Sequence, residues 1–133
     1  MKIFTGTNFL VSVFATRGLS SDVFQVILAE HQIMTGEFVL KELHRVLTTK
    51  FKVPEKIARE AEQLLRQHHI EPIPDKPSEI RVRDEDDRWV LESALRSKAE
   101  VLITGDKDLL DISDNVSELK IITPREFWEL IRQ

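Results

Sequence analysis

Five carboxylates stand where they could hold a hard cation. Asp84 and Asp87 belong to the acidic run Asp84-Glu85-Asp86-Asp87. Asp106 and Asp108 follow the apolar run Val101-Leu102-Ile103 across Thr104-Gly105. Glu42 interrupts an otherwise apolar and basic stretch, V-L-K-E-L-H-R-V-L. Carboxylate oxygens are hard ligands, suited to Mg²⁺ or Mn²⁺ ions that keep several of their waters. Each acid also has an ordinary reading. Glu42 could be a solvated helix residue. Asp84 to Asp87 could be N-cap and first-turn acids, which a helix dipole favours by ~0.3–1 kcal/mol each. Asp106 could cap the short helix that follows it. The strand–Thr–Gly–Asp junction favours a site: in an open α/β sheet the functional crevice lies outside the carboxyl ends of the strands, where Asp106 would stand. A helix starting on the same edge would bring Asp87 near it.

Other chemistries find little support. No G-x-x-x-x-G-K-[ST] or G-x-G-x-x-G occurs, so no glycine loop is available to cradle a phosphate. The histidines are His31, His44, His68 and His69, with no His-x-x-x-His among them, and the adjacent pair cannot share a helix face. Ser12, Ser20 and Ser21 have no histidine in a recognisable partnership. Absence of cysteine rules out thiolate metal sites and disulfides and is compatible with a cytoplasmic setting.

The elements that would position these acids follow from periodicity and turn residues. Lys2 to Phe4 reads as a strand, Thr5-Gly6-Thr7-Asn8 as the loop at its carboxyl end, and Phe9-Leu10-Val11 as the start of the next element. Gly18 to Ser21 reads as a second loop, with Ser20 or Ser21 capping a helix through Val23, Phe24 and Ile27. Ile33-Met34-Thr35 is a strand, and Glu37 to Thr49 a helix with Phe38, Val39, Leu43, Val46 and Leu47 on one face. A helix from Glu55 to His68 carries Ile57, Ala61, Leu64 and Leu65 inward, with Pro54 near its first turn. A weak strand covers Ile70 to Ile73, and Pro72, Pro74 and Pro77 mark a loop. The acidic run opens a helix with Trp89, Val90, Ala94 and Leu95 on its apolar face. Val101 to Ile103 reads as a buried parallel strand, Leu119 to Ile122 as an edge strand, and Pro124 as the start of a last helix carrying Phe127, Trp128 and Ile131. Strands alternating with helices give an α/β fold, a parallel sheet with right-handed crossovers.

The chain has 133 residues, enough to bury a core, and shows no linker, so residues 1–133 read as a single domain. A formal net charge of −4 argues against a protein that coats nucleic acid uniformly, while leaving room for a local basic face. Lys41, Arg45, Lys50 and Lys52 form such a stripe beside Glu42. No apolar run approaches the ~20 residues of a membrane span, and Met1-Lys2-Ile3-Phe4 enters a strand with no secretory pattern.

Taken together, the motifs resemble the PIN domain family, and in particular the VapC-like toxins of toxin–antitoxin pairs. The resemblance rests on Gly6-Thr7-Asn8 followed by Phe9-Leu10-Val11-Ser12, on Glu42 within E-L-H-R-V-L, on Asp84, Asp87, Leu91 and Ala94, and on Thr104-Gly105-Asp106-Lys107-Asp108-Leu109. It implies a three-layer α/β/α architecture around a central parallel sheet and a metal-dependent endoribonuclease using Mg²⁺ or Mn²⁺. Glu42, Asp87 and Asp106 would be the catalytic metal ligands, with Asp84 and Asp108 as near-site acids. Asn8 and Thr104 would orient the site, and Lys41, Arg45 and Lys50 would meet the RNA backbone. The implied partners are RNA, a cognate antitoxin protein and a second copy in a homodimer, with no membrane and a cytoplasmic location.

One position departs from the family. Where it carries its first aspartate, this chain has Gly6, which can neither bind a metal nor accept a proton. Gly6 could serve a turn needing φ > 0, but the flanking T-x-T-N favours a vacant ligand position. The expectation is a nuclease that is weakened or inactive. The alternative is a non-catalytic PIN-fold module that binds RNA or protein. A receiver-like phosphoryl-transfer domain ranks below both, because Thr5-Gly6-Thr7-Asn8 lacks the acidic cluster it would need after the first strand.

Overall fold

Short apolar runs form the strands of one sheet, and the amphipathic segments between them form its covering helices. The computed structural model describes residues 1–132. In chain order the elements are β1 (Lys2–Thr5), α1 (Thr7–Ala15), α2 (Leu19–Glu30), β2 (Gln32–Gly36), α3 (Glu37–Thr49), α4 (Glu55–Leu65), β3 (His69–Glu71), α5 (Glu85–Arg96), β4 (Val101–Ile103), α6 (Lys107–Asp111), β5 (Lys120–Ile122) and α7 (Pro124–Ile131), with a 3₁₀ turn at Ser113–Asn115. The strand order is β3-β2-β1-β4-β5, and every neighbouring pair is parallel. This is the three-layer α/β/α architecture. No helix of the described residues is long and apolar enough to cross a membrane.

The order fixes where a site can form. From β1 the chain steps outward to β2 and then β3, and α5 carries it back across the sheet to β4, on the other side of β1. Right-handed crossovers that reverse direction place helices on opposite faces, leaving a crevice between the carboxyl ends of β1 and β4. The register aligns those ends: Thr5 pairs with Ile103, the Gly6 N–H donates to the Ile103 carbonyl at 3.0 Å, and the Thr104 N–H donates to the Ile122 carbonyl at 3.0 Å.

Beneath the crevice the sheet is dry. Ile3, Phe4, Leu102 and Ile103 have no exposed surface, and Leu91 of α5 and Phe127 of α7 belong to the same buried core. The two threonines at the ends of β1 and β2 are buried and satisfied by each other's strand. Thr5 Oγ1 donates to the Met34 carbonyl and Thr35 Oγ1 to the Thr5 carbonyl, both at 3.0 Å. The long loop between β3 and α5 is tied to the start of α5. The Ser78 N–H donates to the Arg88 carbonyl at 3.0 Å, and Arg88 Nε donates to the Ser78 carbonyl at 2.8 Å. Ser78 is buried, so this pair also satisfies polar groups removed from water.

Several expectations shift. The loop after β1 shrinks to Gly6 alone, because α1 already begins at Thr7. No serine caps α2: its N-cap is Gly18 at φ 145°, a backbone that side chains rarely adopt, and Ser21 instead donates to the Val13 carbonyl. α4 stops at Leu65 and the following strand starts at His69. Ile57 is exposed rather than inward, leaving Ala58, Ala61 and Leu65 as the buried face.

α5 packs against β2 beside Gly36. A Cβ built there would sit 3.4 Å from the Glu71 carbonyl, Phe4 Cζ and Ser93 Cβ. A methyl group therefore just fits, and anything longer must push α5 away. Urea denaturation should show Gly36→Ala within about 1 kcal/mol of the parent, whereas Gly36→Leu should cost ~1–3 kcal/mol or more through overpacking. A neutral Gly36→Leu would contradict this packing of α5.

Candidate active site

Two helix starts and one helix interior deliver acids to the crevice. α5 begins where Asp84 accepts from the Asp86 N–H at 3.0 Å, and α6 begins where Asp106 accepts from the Asp108 N–H at 2.9 Å. In both, one carboxylate oxygen satisfies an orphan amide while the side chain stays at the carboxyl edge of the sheet. Thr104 Oγ1 accepts from the Asp106 N–H at 3.0 Å, fixing the turn out of β4. Glu42, one turn into α3, is held by Thr7 at the start of α1, whose hydroxyl donates to Glu42 Oε1 at 2.7 Å.

The resulting crevice, roughly 170 Å³, is lined by Asn8, Glu42, Asp84, Asp87, Thr104 and Asp106 among the expected site residues, and also by Thr7, Arg45 and Asp86. One carboxylate oxygen from each of Asp84, Asp87 and Asp108 lies within 4.8 Å of the other two. Asp108 therefore stands within reach of both Asp84 and Asp87. Glu42 and Asp106 line the same space, each with an oxygen already engaged.

Asp87 is the most perturbed group. It is only 7% exposed, and its Oδ2 is the one buried side-chain polar atom without a partner among the described residues. Its carboxyl is pushed up to about 8 by burial first, then by the charge of Asp106 and a hydrogen bond with it, then by Asp84 and Glu42. Glu42 is also raised, chiefly by burial and also by the charges of Asp86 and Asp84, while the Thr7 hydrogen bond and Arg45 oppose the rise.

A buried carboxylate oxygen with no donor, surrounded by acids, requires either a proton or a cation. The donor set is all oxygen, which suits a hard divalent ion such as Mg²⁺ or Mn²⁺. The residues present thus fit a divalent metal.

The basic stripe does not stay together. Arg45 lines the crevice, but Lys41 faces the groove between α3 and α4 with Glu37, His44, Glu62 and Arg66. Lys50 lies beyond the end of α3, its Nζ 5.9 Å from the centre of the Phe51 ring. Position 50 lies about 140° around from 45 at about 100° per residue, and Lys41, although one turn before Arg45, lines the groove toward α4 instead of the crevice. Thr7, which the sequence did not single out, is the residue that holds Glu42. Its only sequence signal is a hydroxyl at the first helical position after Gly6.

Gly6 is buried, with φ −84° and ψ 168°. That is extended backbone open to any residue, so no turn demands glycine here. A Cβ added to it would meet the Ile103 carbonyl at 3.3 Å and the Thr104 Cβ and Oγ1 at 3.5 Å, a tight fit needing a few tenths of an ångström of adjustment. Gly6 is also the N-cap of α1 and gives it no side-chain hydrogen bond. An aspartate at this position would supply the cap that is missing and would stand against Thr104, on the crevice wall.

Comparison with known proteins bears on the family and the fold. The PIN domain family profile matches residues 2–108. A stretch of 54 residues is 46% identical to the uncharacterized protein MJ1680 of Methanocaldococcus jannaschii, covering 35% of this chain and 34% of that protein. The chain thus spans about a third of the length of that relative. In three dimensions it is similar to VapBC2 from Rickettsia felis bound to a DNA fragment from their promoter, with a TM-score of 0.67 and 14% identity over 92% of this chain and 98% of that one. It is also similar to Mycobacterium tuberculosis VapC20, a sarcin-ricin loop cleaving toxin, with a TM-score of 0.61 and 15% identity over 82% of this chain and 93% of that one. At these identities the structural likeness is one of fold.

The raised Asp87 gives a pH test of defined sign. Folded Asp87 keeps its proton up to about pH 8, against an ordinary value of 3.8, so between these limits the folded state holds a proton that the unfolded chain releases. Metal-free stability is then highest at the acidic end of that window and falls as pH rises through it, by at most about 1.4 kcal/mol per pH unit. In EDTA, denaturation midpoints should drop from pH 5 to pH 8, Asp87→Asn should remove most of the drop, and Mn²⁺ at pH 8 should restore stability to the parent. A flat profile in the parent would show that Asp87 is not held protonated.

Proposed function

Because the chain belongs to the PIN domain family, we propose that it is a metal-dependent endoribonuclease, the toxin of a toxin–antitoxin pair, weakened or inactivated by the vacancy at Gly6. The observation that carries this reading is the gathering of Glu42, Asp84, Asp87, Asp106 and Asp108 at the carboxyl ends of β1 and β4, around the unpartnered Oδ2 of Asp87.

In this reading Glu42, Asp87 and Asp106 hold a Mg²⁺ or Mn²⁺ ion, with Asp84 and Asp108 at its edge. Such an ion, when bound, activates water and offsets negative charge on the scissile phosphate. The chain's own residues do the rest. Thr7 fixes Glu42, and Thr104 fixes the turn that presents Asp106. Asn8 is exposed on the crevice rim, where it can meet substrate. Arg45 places the one positive side chain of the crevice lining beside the phosphate path. Asp87 must lose its proton from the buried carboxyl for the ion to enter, so metal uptake is expected to release protons near neutral pH. The proposed partners are single-stranded RNA, an antitoxin that covers the crevice, and a second copy of the chain in a cytoplasmic homodimer. The likeness in fold to a VapBC2 assembly supports the antitoxin.

Gly6 favours a second reading, in which the chain keeps the fold and most of the acids but binds RNA or protein without cutting it. Gly6→Asp separates the two. Two charges ~5 Å apart repel by about 3 kcal/mol at an effective dielectric of ~20, so the added acid should lower stability in EDTA, less any gain from capping α1. It should also enlarge the rise in melting temperature on adding Mn²⁺. RNA cleavage should rise at least tenfold, the scale of about 10–100-fold by which even outer partners tune metal sites. Asp106→Asn on that background should abolish the gain. If Gly6→Asp leaves the metal response and RNA cleavage unchanged, the non-catalytic reading stands.

A further inference from the structure

The crevice is poorly suited to hold RNA by charge alone. Its lining carries Glu42, Asp84, Asp86, Asp87 and Asp106 against a single cation, Arg45. A chain of phosphates would be held there weakly unless some neutral contact added affinity. One such contact lies beside it. Phe38 on α3 and Trp89 on α5 stack at 6.0 Å between ring centres with an interplanar angle of 11°. Both rings are only half-buried.

Helical phase puts Phe38 on the crevice side, and the stack brings the Trp89 ring to it. Phe38 precedes Glu42 by one turn and Arg45 by two, so the three share a stripe of α3. Trp89 lies one turn beyond Asp86 on α5 and adjoins Val90, both of which line the crevice. The stack therefore links α3 to α5 beside the crevice lining, of which neither ring is itself a part. Among the described residues the Trp89 indole N–H has no hydrogen-bond partner. Since Asp87 Oδ2 is the only buried side-chain polar atom left without a partner among the described residues, the indole N–H reaches solvent. A partly exposed aromatic pair beside a phosphate path is the kind of side-chain surface on which the bases of single-stranded nucleic acids stack.

We propose that Phe38 and Trp89 form a stacking platform for a nucleobase of single-stranded RNA next to the acidic crevice. The proposal rests on the RNA-directed reading given above and names the part of the substrate recognised there. It makes the pair a binding element that acts on the base and not on the reacting phosphate. Affinity should accordingly depend on bases being present, and it should fall less steeply with salt than for a protein that binds through many phosphate contacts.

The test uses Trp128→Phe, which leaves Trp89 as the sole indole, together with single-stranded RNA of about 12 nucleotides, within the range that one stacking surface spans. With Mg²⁺ present and the oligonucleotide checked on a gel for integrity, RNA should quench Trp89 emission saturably. An abasic oligonucleotide of equal length should quench little. By fluorescence anisotropy of labelled RNA, Trp89→Leu and Phe38→Leu should each weaken binding about tenfold. Trp89→Phe, which keeps an aromatic face, should stay within about twofold of the parent, and circular dichroism should confirm that each variant is folded. If RNA is bound, or is cleaved by the Gly6→Asp form, with no dependence on Trp89 or Phe38, the platform is overturned while the nuclease reading stands. If neither the parent nor Gly6→Asp binds RNA at all, both fall. If the abasic oligonucleotide binds as well as the RNA, the contact is to phosphate and the platform is again overturned.

Discussion

The buried carboxylate of Asp87 is the constraint around which the site is arranged. It sits on the first turn of α5, shielded from water, with other acids on every approach and no donor for one of its oxygens. An ionised group in that position is costly, so the metal-free protein keeps it protonated. Everything that places it there is built from ordinary stabilising interactions. Asp84 caps α5 and the Ser78–Arg88 pair ties the preceding loop to it. Val90, Leu91 and Ala94 bury the helix against the sheet. The strain of the site is thus held in place by the core and the caps, and a cation or a proton relieves it.

Gly6 changes the balance at that site without changing its scaffold. Its backbone is extended, its N–H completes the ladder to Ile103, and α1 begins immediately after it. None of these requires glycine. A carboxylate there would add one more negative charge to a crevice already short of donors, while also capping α1. Lacking it, the chain has a less repulsive metal-free site, an uncapped helix and fewer ligand atoms for an ion. Those three consequences pull in different directions on stability and on metal affinity. The fold alone therefore does not determine the activity, and the vacancy has to be weighed as chemistry.

Much of this was legible in the sequence because the signals were local. The 3.6-residue period from Phe38 to Leu47 gave α3 its bounds at Glu37 and Thr49, and Val101-Leu102-Ile103 between polar flanks gave β4. The acids followed from their place at the ends of those elements. What was not legible depended on contacts between distant segments. Thr7 meets Glu42 only because α1 packs against α3, and nothing in either stretch encodes that meeting. The basic residues at 41, 45 and 50 looked like one stripe in the chain, but Lys41 lines the groove toward α4 and Lys50 lies past the helix end, which leaves Arg45 at the crevice. Ser20 and Ser21 are good capping residues by type, yet the backbone at Gly18 turns through a region that serine avoids, and the helix starts earlier. Ile57 sits on a helix whose neighbours at Ala58 and Ala61 supply a narrow buried face, so an apolar residue is left in water.

The strand order explains why such separate segments meet at all. Because β1 lies between β2 and β4, its carboxyl end is flanked by the turn into α3 on one side and by the turn into α6 on the other, and α5 returns over the same edge. Four chain segments with no common sequence neighbourhood therefore converge on one crevice at the switch of direction. A site of this kind needs only a residue or two from each segment. The acids of the crevice can then be retained, lost or supplemented one at a time while the packing underneath is undisturbed. The separation is visible in the burial: Phe4, Leu102 and Ile103 have no exposed surface, whereas Asp106, just after β4, and Glu42 on α3 are only partly buried. Metal binding, RNA binding and cleavage are for that reason separable properties of this chain, carried by different residues on a common frame.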